Sequence, residues 1–175
     1  MAVLAFTTER LSLRPFSEAD FPLVDRIYQN KAVMRYVTHL PPYQSKAEPM
    51  AYLQRVLTYQ QNTKDGYGFW TMALRTSPEH PFGWLVIRDY DGNGAAEIGY
   101  LMEEMYWGNG YASEAVRFLM DYGFNTMGAQ TLVGVTAPGN TASHHVLEKQ
   151  GFTPTPEWED GSEVLVFRKR NEAPA

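Results

Sequence analysis

The feature that most constrains the fold is a turn with two glycines at residues 107–113, which reads Trp-Gly-Asn-Gly-Tyr-Ala-Ser. Residues 97–102 before it predict a strand, and apolar residues from Ala112 to Met120 recur at the spacing of a helix with one apolar face. Glycines let a backbone approach a ligand, and the first N–H groups of a helix have no partner inside it. The segment therefore predicts an α/β domain in which a strand, an anion-binding turn and a helix follow one another.

The rest of the chain alternates between extended and helical patterns. A strand at residues 11–14 precedes two helices, which begin near Ser17 and Ser45. The remaining elements are strands at residues 69–74, 82–87 and 97–102, the helix after the turn, a strand at 131–136, a helix at 140–150 and two strands that begin at 152 and 163. This order predicts a mixed-sheet α/β fold.

Length and composition limit the class of protein. The 175 residues suit one domain spanning 1–175, with residues 171–175 as a frayed tail. The N-terminal apolar run is too short for a signal sequence and no run is long enough to cross a membrane, so we expect a cytoplasmic protein with no membrane partner. The absence of cysteine excludes thiol nucleophiles, disulfides and cysteine metal sites. A net charge of −5 without a basic stripe argues against nucleic acid as a partner.

Two other interpretations of the turn have to be weighed. One is a plain connection between a strand and a helix. The other is the dinucleotide site of an oxidoreductase, because Gly108, Gly110 and Ser113 approximate Gly-x-Gly-x-x-Gly. Three details count against the dinucleotide site: the third glycine is a serine, four residues separate the strand from Trp107, and no acidic residue ends the next strand at 131–136.

Four motifs, in order along the chain, carry a family resemblance. Residues 8–15 read Thr-Glu-Arg-Leu-Ser-Leu-Arg-Pro, residues 97–100 Glu-Ile-Gly-Tyr, residues 107–115 Trp-Gly-Asn-Gly-Tyr-Ala-Ser-Glu-Ala, and residues 140–152 Asn-x-x-Ser-x-x-x-x-Glu-Lys-x-Gly-Phe. In these motifs the chain resembles the GNAT superfamily of N-acetyltransferases, in the branch of ribosomal-protein N-terminal acetyltransferases of the RimJ/RimL type. One position departs from the superfamily's general turn, Gln/Arg-x-x-Gly-x-Gly/Ala, because Trp107 stands in place of the polar residue.

This resemblance implies a fold and a reaction. The implied fold is a mixed, mostly antiparallel central sheet flanked by helices, in which the fourth and fifth strands, here residues 97–102 and 131–136, splay apart. The pantetheine arm of acetyl-coenzyme A (acetyl-CoA) would lie between those strands. The implied reaction transfers an acetyl group from acetyl-CoA, as co-substrate, to a small-molecule amine or a protein N-terminus without a metal. A homodimer is left open.

The resemblance also implies which residues hold the co-substrate. Leu101 and Met102 are expected to supply backbone contacts to the pantetheine arm, with an N–H near Met102 polarising the thioester carbonyl. The turn residues expected to hold the pyrophosphate are Trp107, Gly108, Asn109, Gly110, Tyr111, Ala112 and Ser113. Asn140 is expected to contact the pantetheine arm, to cap its own helix, or both. Ser143 is expected to contact the cofactor and to donate a hydrogen bond to the departing thiolate.

The general base is the least defined part of the prediction. Amide formation needs a neutral amine, so a carboxylate or a chain of waters has to take its proton. Glu157 stands four residues before Gly161 in the last hairpin, where some relatives carry a catalytic glutamate, and Glu97 begins the strand beside the pantetheine arm. Glu103 is a third candidate. For each of them a solvated surface carboxylate is an equally good interpretation.

Neither a metal site nor a hydrolase is predicted. His144 and His145 are adjacent and diverge by about 100° on a helix, so they cannot share one ligand sphere. The sequence has no Gly-x-Ser-x-Gly motif of the kind that serine hydrolases use. The alternative function that remains is a non-catalytic CoA-binding sensor module of the same fold, with an intact turn and a lost base.

Overall fold

The computed structural model describes residues 4–37, 39–63 and 66–172. Within them the strands are β1 (Phe6–Thr7), β2 (Leu11–Pro15), β3 (Gly68–Leu74), β4 (Gly83–Asp89), β5 (Ala95–Met102), β6 (Thr131–Thr136), β7 (Thr153–Glu159) and β8 (Ser162–Arg170). The α-helices are α1 (Phe21–Gln29), α2 (Lys31–Met34), α3 (Ala47–Asn62), α4 (Tyr111–Asp121) and α5 (Thr141–Lys149). The order of elements follows the sequence prediction, with β1 and α2 as short additions.

The strands form one sheet in the order β1-β2-β3-β4-β5-β6-β8-β7. Antiparallel ladders join β1 to β2, β2 to β3, β6 to β8 and β8 to β7, whereas β5 and β6 are parallel. A parallel pair needs a crossover between its strands, and α4 supplies it. This mixed, mostly antiparallel sheet with flanking helices confirms the predicted fold class.

The parallel ladder between β5 and β6 is short. Its pairs are Ala95↔Thr131, Ala96↔Leu132 and Glu97↔Val133. Beyond these pairs β5 continues to Met102, and β6 continues to Thr136 while pairing with β8 on its other side. The pairing between β5 and β6 thus ends while both strands continue. Strands that diverge, as the resemblance implies for these two, have such a short ladder.

Contacts divide the chain into two compact units, of which the first comprises the residues up to Val86 together with Tyr100–Tyr111. One apolar cluster of buried residues in this unit comprises Phe16, Leu23, Val24, Ile27, Tyr28, Val33, Leu40, Tyr52, Leu53, Val56 and Trp84. The passage from β2 into α1 is held by Asp20, which is 2% exposed. Its carboxylate accepts two hydrogen bonds from Arg14, of 2.8 and 2.7 Å, and one from the Ser17 N–H. Such charge-assisted bonds fix the entry of the chain into the helix.

The second unit comprises Ile87–Gly99 and the chain from Ala112 onward. Its buried apolar residues are Ile87, Ala96, Ile98, Ala115, Val116, Leu119, Ala129, Leu132, Val133, Leu147, Phe152, Val166 and Phe167. Gly134 lets α5 pack closely on β6, because a Cβ atom at that position would lie 3.0 Å from Leu147 Cδ1. The α5 helix, which carries the late family motif, is therefore seated directly on a buried strand.

Local chemistry explains where the elements differ from the prediction. Asn30 accepts hydrogen bonds from the N–H groups of Ala32 and Val33 and thereby starts α2, a single turn too short to show a helical period. After α4 the chain continues as a π-helical turn at Tyr122–Thr126 before Gly128 ends it with φ +72°. Short elements and helix ends depend on such individual hydrogen bonds more than on periodicity.

None of the helices in the described part of the chain is long and apolar enough to span a bilayer. In the predicted frayed tail, Asn171 is hydrogen bonded through its N–H to Gln130 O and through its amide group to Ala129 O. Residues 173–175 of that tail lie outside the described residues, and the single-domain assignment stays a prediction.

Candidate active site

The turn after β5 has the backbone that its glycines predict. A 3₁₀ turn at Glu104–Tyr106 follows the strand, and α4 begins at Tyr111. Between them Gly108 has φ +74° and Gly110 has φ +79°. Residues with a side chain avoid this left-handed region, whereas glycine enters it without steric cost. Both glycines are therefore required by the path of the backbone.

Trp107 braces this turn against the end of β5. Its indole N–H donates to the Met102 carbonyl at 3.1 Å. The Asn109 side-chain amide donates to the carbonyls of Tyr106 at 3.1 Å and of Trp107 at 2.9 Å. The tryptophan that replaces a polar residue in the general family turn thus still provides a hydrogen-bond donor, and it directs that donor at the chain itself.

Aromatic packing and a distant arginine support the same turn. The rings of Phe82 and Tyr106 are stacked with centroids 4.0 Å apart, and the Tyr111 ring lies 5.5 Å from Phe82. The Arg10 guanidinium lies over the Tyr111 ring at 4.7 Å, and its Nη1 donates to the Asn109 carbonyl at 2.9 Å. The turn is consequently a preformed structure with fixed peptide orientations.

The turn leads into the start of an eleven-residue helix. The first N–H groups of α4, including those of Ala112 and Ser113, have no acceptor within the helix, and the helix dipole adds partial positive charge there. Backbone N–H groups and a helix N-terminus in this combination can donate hydrogen bonds to the oxygens of a diphosphate. The chemistry of the turn fits the anionic part of CoA.

Leu101 and Met102 lie at the carboxyl end of β5, and Met102 is 4% exposed. Their backbone approaches Gly83 of β4 so closely that a Cβ atom there would lie 2.4 Å from Leu101 O and 2.8 Å from Met102 Cβ. Gly83 therefore permits the packing of the strand end that the prediction assigns to the pantetheine arm. The sequence prediction overlooked it, although a glycine inside a strand is itself a signal of close backbone approach.

Asn140 and Ser143 open α5. The Asn140 side-chain oxygen accepts a hydrogen bond from the Ser143 N–H at 3.3 Å, and its carbonyl accepts from the His144 N–H at 3.1 Å. Asn140 is thus the N-cap of α5, one of the two roles that the sequence left open. A side-chain carbonyl oxygen can accept two hydrogen bonds, so this cap is compatible with a contact between Asn140 and a ligand. Ser143 is half-buried in the first turn of α5.

Both principal base candidates are paired with arginines. Glu97 receives two hydrogen bonds from Arg88, each 2.9 Å, one on each carboxylate oxygen. Glu157 accepts one from Arg168 on Oε1. This hydrogen bond is the largest cause raising the pKa of Arg168 above its ordinary value, so the guanidinium keeps its charge. Glu103 is bonded by Arg26 at 2.9 and 2.7 Å, so none of the three is a carboxylate surrounded only by solvent.

Comparison with known proteins decides the family. A family model described as an acetyltransferase (GNAT) domain matches residues 10–153, most of the chain. The chain belongs to the GNAT acetyltransferase family. YkkB of Bacillus subtilis (strain 168) is 31% identical over 150 residues, which cover 83% of each protein.

Solved structures agree on the fold. The acetyltransferase from Agrobacterium tumefaciens superposes with a TM-score of 0.80 at 28% identity, over 97% of this chain and 96% of that one. RimL, described as a ribosomal L7/L12 alpha-N-protein acetyltransferase in complex with coenzyme A, superposes with a TM-score of 0.77 at 22% identity, over 98% and 100% of the chains. A RimL structure is thus among the solved structures that share this fold.

Membership of the GNAT family makes the chain an acetyl-CoA-dependent acyltransferase. The described residues contain no group of three or more His, Cys, Asp or Glu side chains arranged to hold a metal ion. The structure gathers Trp107, Gly108, Asn109, Gly110 and Tyr111 into one turn that continues into Ala112 and Ser113. It places Asn140 with Ser143 in α5, and Glu97 and Glu157 on separate strands with separate arginine partners.

The two glycines of the turn provide a matched pair of variants. We expect Gly110→Ala to raise the Kd for acetyl-CoA about tenfold, as for the loss of one charge-assisted hydrogen bond. A side chain there is strained by the positive φ, and its Cβ would lie 3.4 Å from Arg10 Nη2. Gly108→Ala carries the same strain in open space and should raise the Kd less. Calorimetry measures both, and wild-type affinity in a folded Gly110→Ala protein would contradict the assignment of the turn to the diphosphate.

Proposed function

We propose that this GNAT enzyme transfers the acetyl group of acetyl-CoA to a primary amine by direct attack of the amine on the thioester carbon. The observation that carries the proposal is the braced glycine turn that leads into α4, because it combines fixed backbone N–H groups with a helix N-terminus. In the reaction a C–N bond forms, the C–S bond breaks, CoA leaves as a thiolate, and the amine loses one proton.

The co-substrate residues proposed on this basis are those that the family resemblance implies. The diphosphate is assigned to the turn from Trp107 to Ser113, and the pantetheine arm to Leu101, Met102, Asn140 and Ser143. A backbone N–H near Met102 would stabilise the oxyanion that forms from the thioester carbonyl. Support comes from the local structure of each segment: the positive φ angles of the glycines, the close approach at Gly83 and the cap at Asn140.

The acceptor is proposed only as a class. Primary amines of small molecules and protein N-termini are both compatible with the family, and RimL, the structural neighbour of 22% identity, is described as acting on a ribosomal protein. A cytoplasmic location, with neither nucleic acid nor membrane as partner, belongs to the same proposal. A homodimer remains open.

Among the carboxylates, the hydrogen bonds favour Glu157 over Glu97 as the base. Arg88 occupies both oxygens of Glu97, whereas Arg168 bonds only Oε1 of Glu157. Oε2 of Glu157 is therefore the oxygen that can take the proton of the amine, directly or through a water. The side chain of Glu157 is also 34% exposed against 18% for Glu97, which gives substrate or water better access.

The experiment that tests the function is a thioester-consumption assay with acetyl-CoA over a panel of amines and N-terminal peptides. The proposal expects saturable consumption that depends on one class of amine, with the acetylated product identified by mass spectrometry. Binding of acetyl-CoA in calorimetry without turnover on any amine would instead favour the CoA-binding sensor module. Absence of binding would contradict the proposed role of the turn.

Ser143 is proposed as the donor to the departing thiolate. A hydroxyl with this role acts mainly in the transition state, so Ser143→Ala should lower kcat by a factor of about 10 to 1,000 and leave the Kd for acetyl-CoA nearly unchanged. Thr141→Ala in the same helical turn is the control and should keep wild-type kcat. If only the KM for acetyl-CoA rises, Ser143 binds the co-substrate, and a wild-type rate would leave it as a residue of the helix alone.

Glu157→Gln should lower kcat/KM at neutral pH, because the amide preserves the shape of the side chain and cannot take a proton. At high pH the amine is already neutral, so the variant should regain part of the lost rate. Glu97→Gln is the matched control, since it also exchanges an arginine-paired carboxylate for an amide. Full pH–rate profiles of both variants measure the difference. Two profiles that follow the wild type would show that water takes the proton and would remove both glutamates from the chemistry.

A further inference from the structure

Arg10 lies beside the glycine turn, although it stands 99 positions before Asn109 in the chain. It directly precedes β2. Its own carbonyl accepts a hydrogen bond of 2.9 Å from the Arg75 N–H, which anchors the Arg10 backbone at the C-terminal end of β3. From this anchored position its side chain reaches the turn in two ways. Nη1 donates to the Asn109 carbonyl at 2.9 Å, and the guanidinium lies 4.7 Å from the centre of the Tyr111 ring.

The hydrogen bond to Asn109 determines the direction of the next N–H group. In a trans peptide the carbonyl of one residue and the N–H of the next lie in the same plane and point in opposite directions. The described peptide bonds are trans, so an Asn109 carbonyl held towards Arg10 turns the Gly110 N–H away from it. This N–H belongs to the residue at the centre of the turn, where an acceptor oxygen of a diphosphate is expected.

The Arg10 guanidinium also lies close to the Gly110 backbone. Nη2 of Arg10 would lie 3.4 Å from a Cβ atom at Gly110, so the guanidinium occupies the space next to the glycine Cα. Gly110 has φ +79°, and glycine adopts negative φ angles about as readily as positive ones. Without a fixed carbonyl the peptide between Asn109 and Gly110 is free to rotate as a plane. The arginine thus restricts a peptide that its glycine would otherwise leave flexible.

We propose that Arg10 is a positioning residue for the diphosphate of acetyl-CoA, which acts by holding the Asn109 carbonyl and thereby orienting the Gly110 N–H towards the ligand. This inference rests on the proposed function, in which the turn binds the diphosphate. It adds a residue from the start of the chain that lies outside the glycine turn. The planar guanidinium lies over the ring of Tyr111, a contact that a lysine ammonium would not reproduce.

Arg10→Met is the test variant, with Arg75→Met as its matched control. Arg75 likewise donates to backbone carbonyls, those of Thr8 and Glu9 at 3.3 and 3.2 Å, but these lie outside the turn. Calorimetry with CoA and with dephospho-CoA, which keeps the diphosphate and lacks the 3′-phosphate, should show about a tenfold rise in Kd for Arg10→Met with both ligands. Arg75→Met should bind both as the wild type does. Circular dichroism melting checks that each variant is folded.

Two further measurements separate positioning from general damage. The KM for acetyl-pantetheine, which has no diphosphate, should be the same in wild type and Arg10→Met. In ¹⁵N spectra the Gly110 amide resonance of the free protein should move in Arg10→Met, and its shift on CoA addition should shrink.

The results that overturn the inference are distinct from those that overturn the function. If wild type fails to bind CoA, the proposed function falls and the role of Arg10 falls with it. If wild type binds and a folded Arg10→Met binds equally well, only the role of Arg10 is removed. A loss confined to CoA and absent with dephospho-CoA would place Arg10 on the 3′-phosphate instead and would also contradict it, as would an equal loss for acetyl-pantetheine.

Discussion

The parallel pairing of β5 and β6 is the constraint on which the rest of the structure depends. Two adjacent parallel strands require a connection that returns to the same end of the sheet, and a helix is the usual solution. Here that helix is α4, so its N-terminus necessarily follows the carboxyl end of β5. Ligands of α/β sheets bind at such strand ends. The position of the turn is thus a consequence of strand topology, and its glycines permit the positive φ angles of the backbone there.

The fold and the turn were predictable from the sequence because their signals are local and repeated. The β6 strand lies at the predicted residues, and α4 follows from apolar spacing. The helices α3 and α5 lie where helices were predicted, with ends shifted by a few residues. The two glycines of the turn occupy positive φ, as their spacing before a helix indicated. Periodicity and glycine placement can be recognised within a window of a few residues, and tertiary packing did not overrule them.

The contacts that organise the site were not predictable in this way. No pattern in the sequence around Arg10 indicates its contact with Asn109. The indole of Trp107 donates to a carbonyl five residues earlier, and only the folded turn brings the two together. The motifs likewise do not indicate the arginine partners of the candidate bases. Arg88 stands across the hairpin from Glu97, and Arg168 reaches Glu157 from the neighbouring strand. Single side-chain contacts between distant residues leave no period, so a structure is needed to find them.

The place of β8 in the sheet has a consequence for how the protein is made. Although β7 precedes it in the chain, β8 lies between β6 and β7 and pairs with both. During synthesis, β6 therefore exposes an unpaired edge until Ser162–Arg170 has left the ribosome. Such an edge is a template for pairing with another chain, and non-local β pairing is slow to form. The sheet of the nascent polypeptide is thus still open after β6 and β7 have been made, and a chaperone that covers this edge would act at this stage.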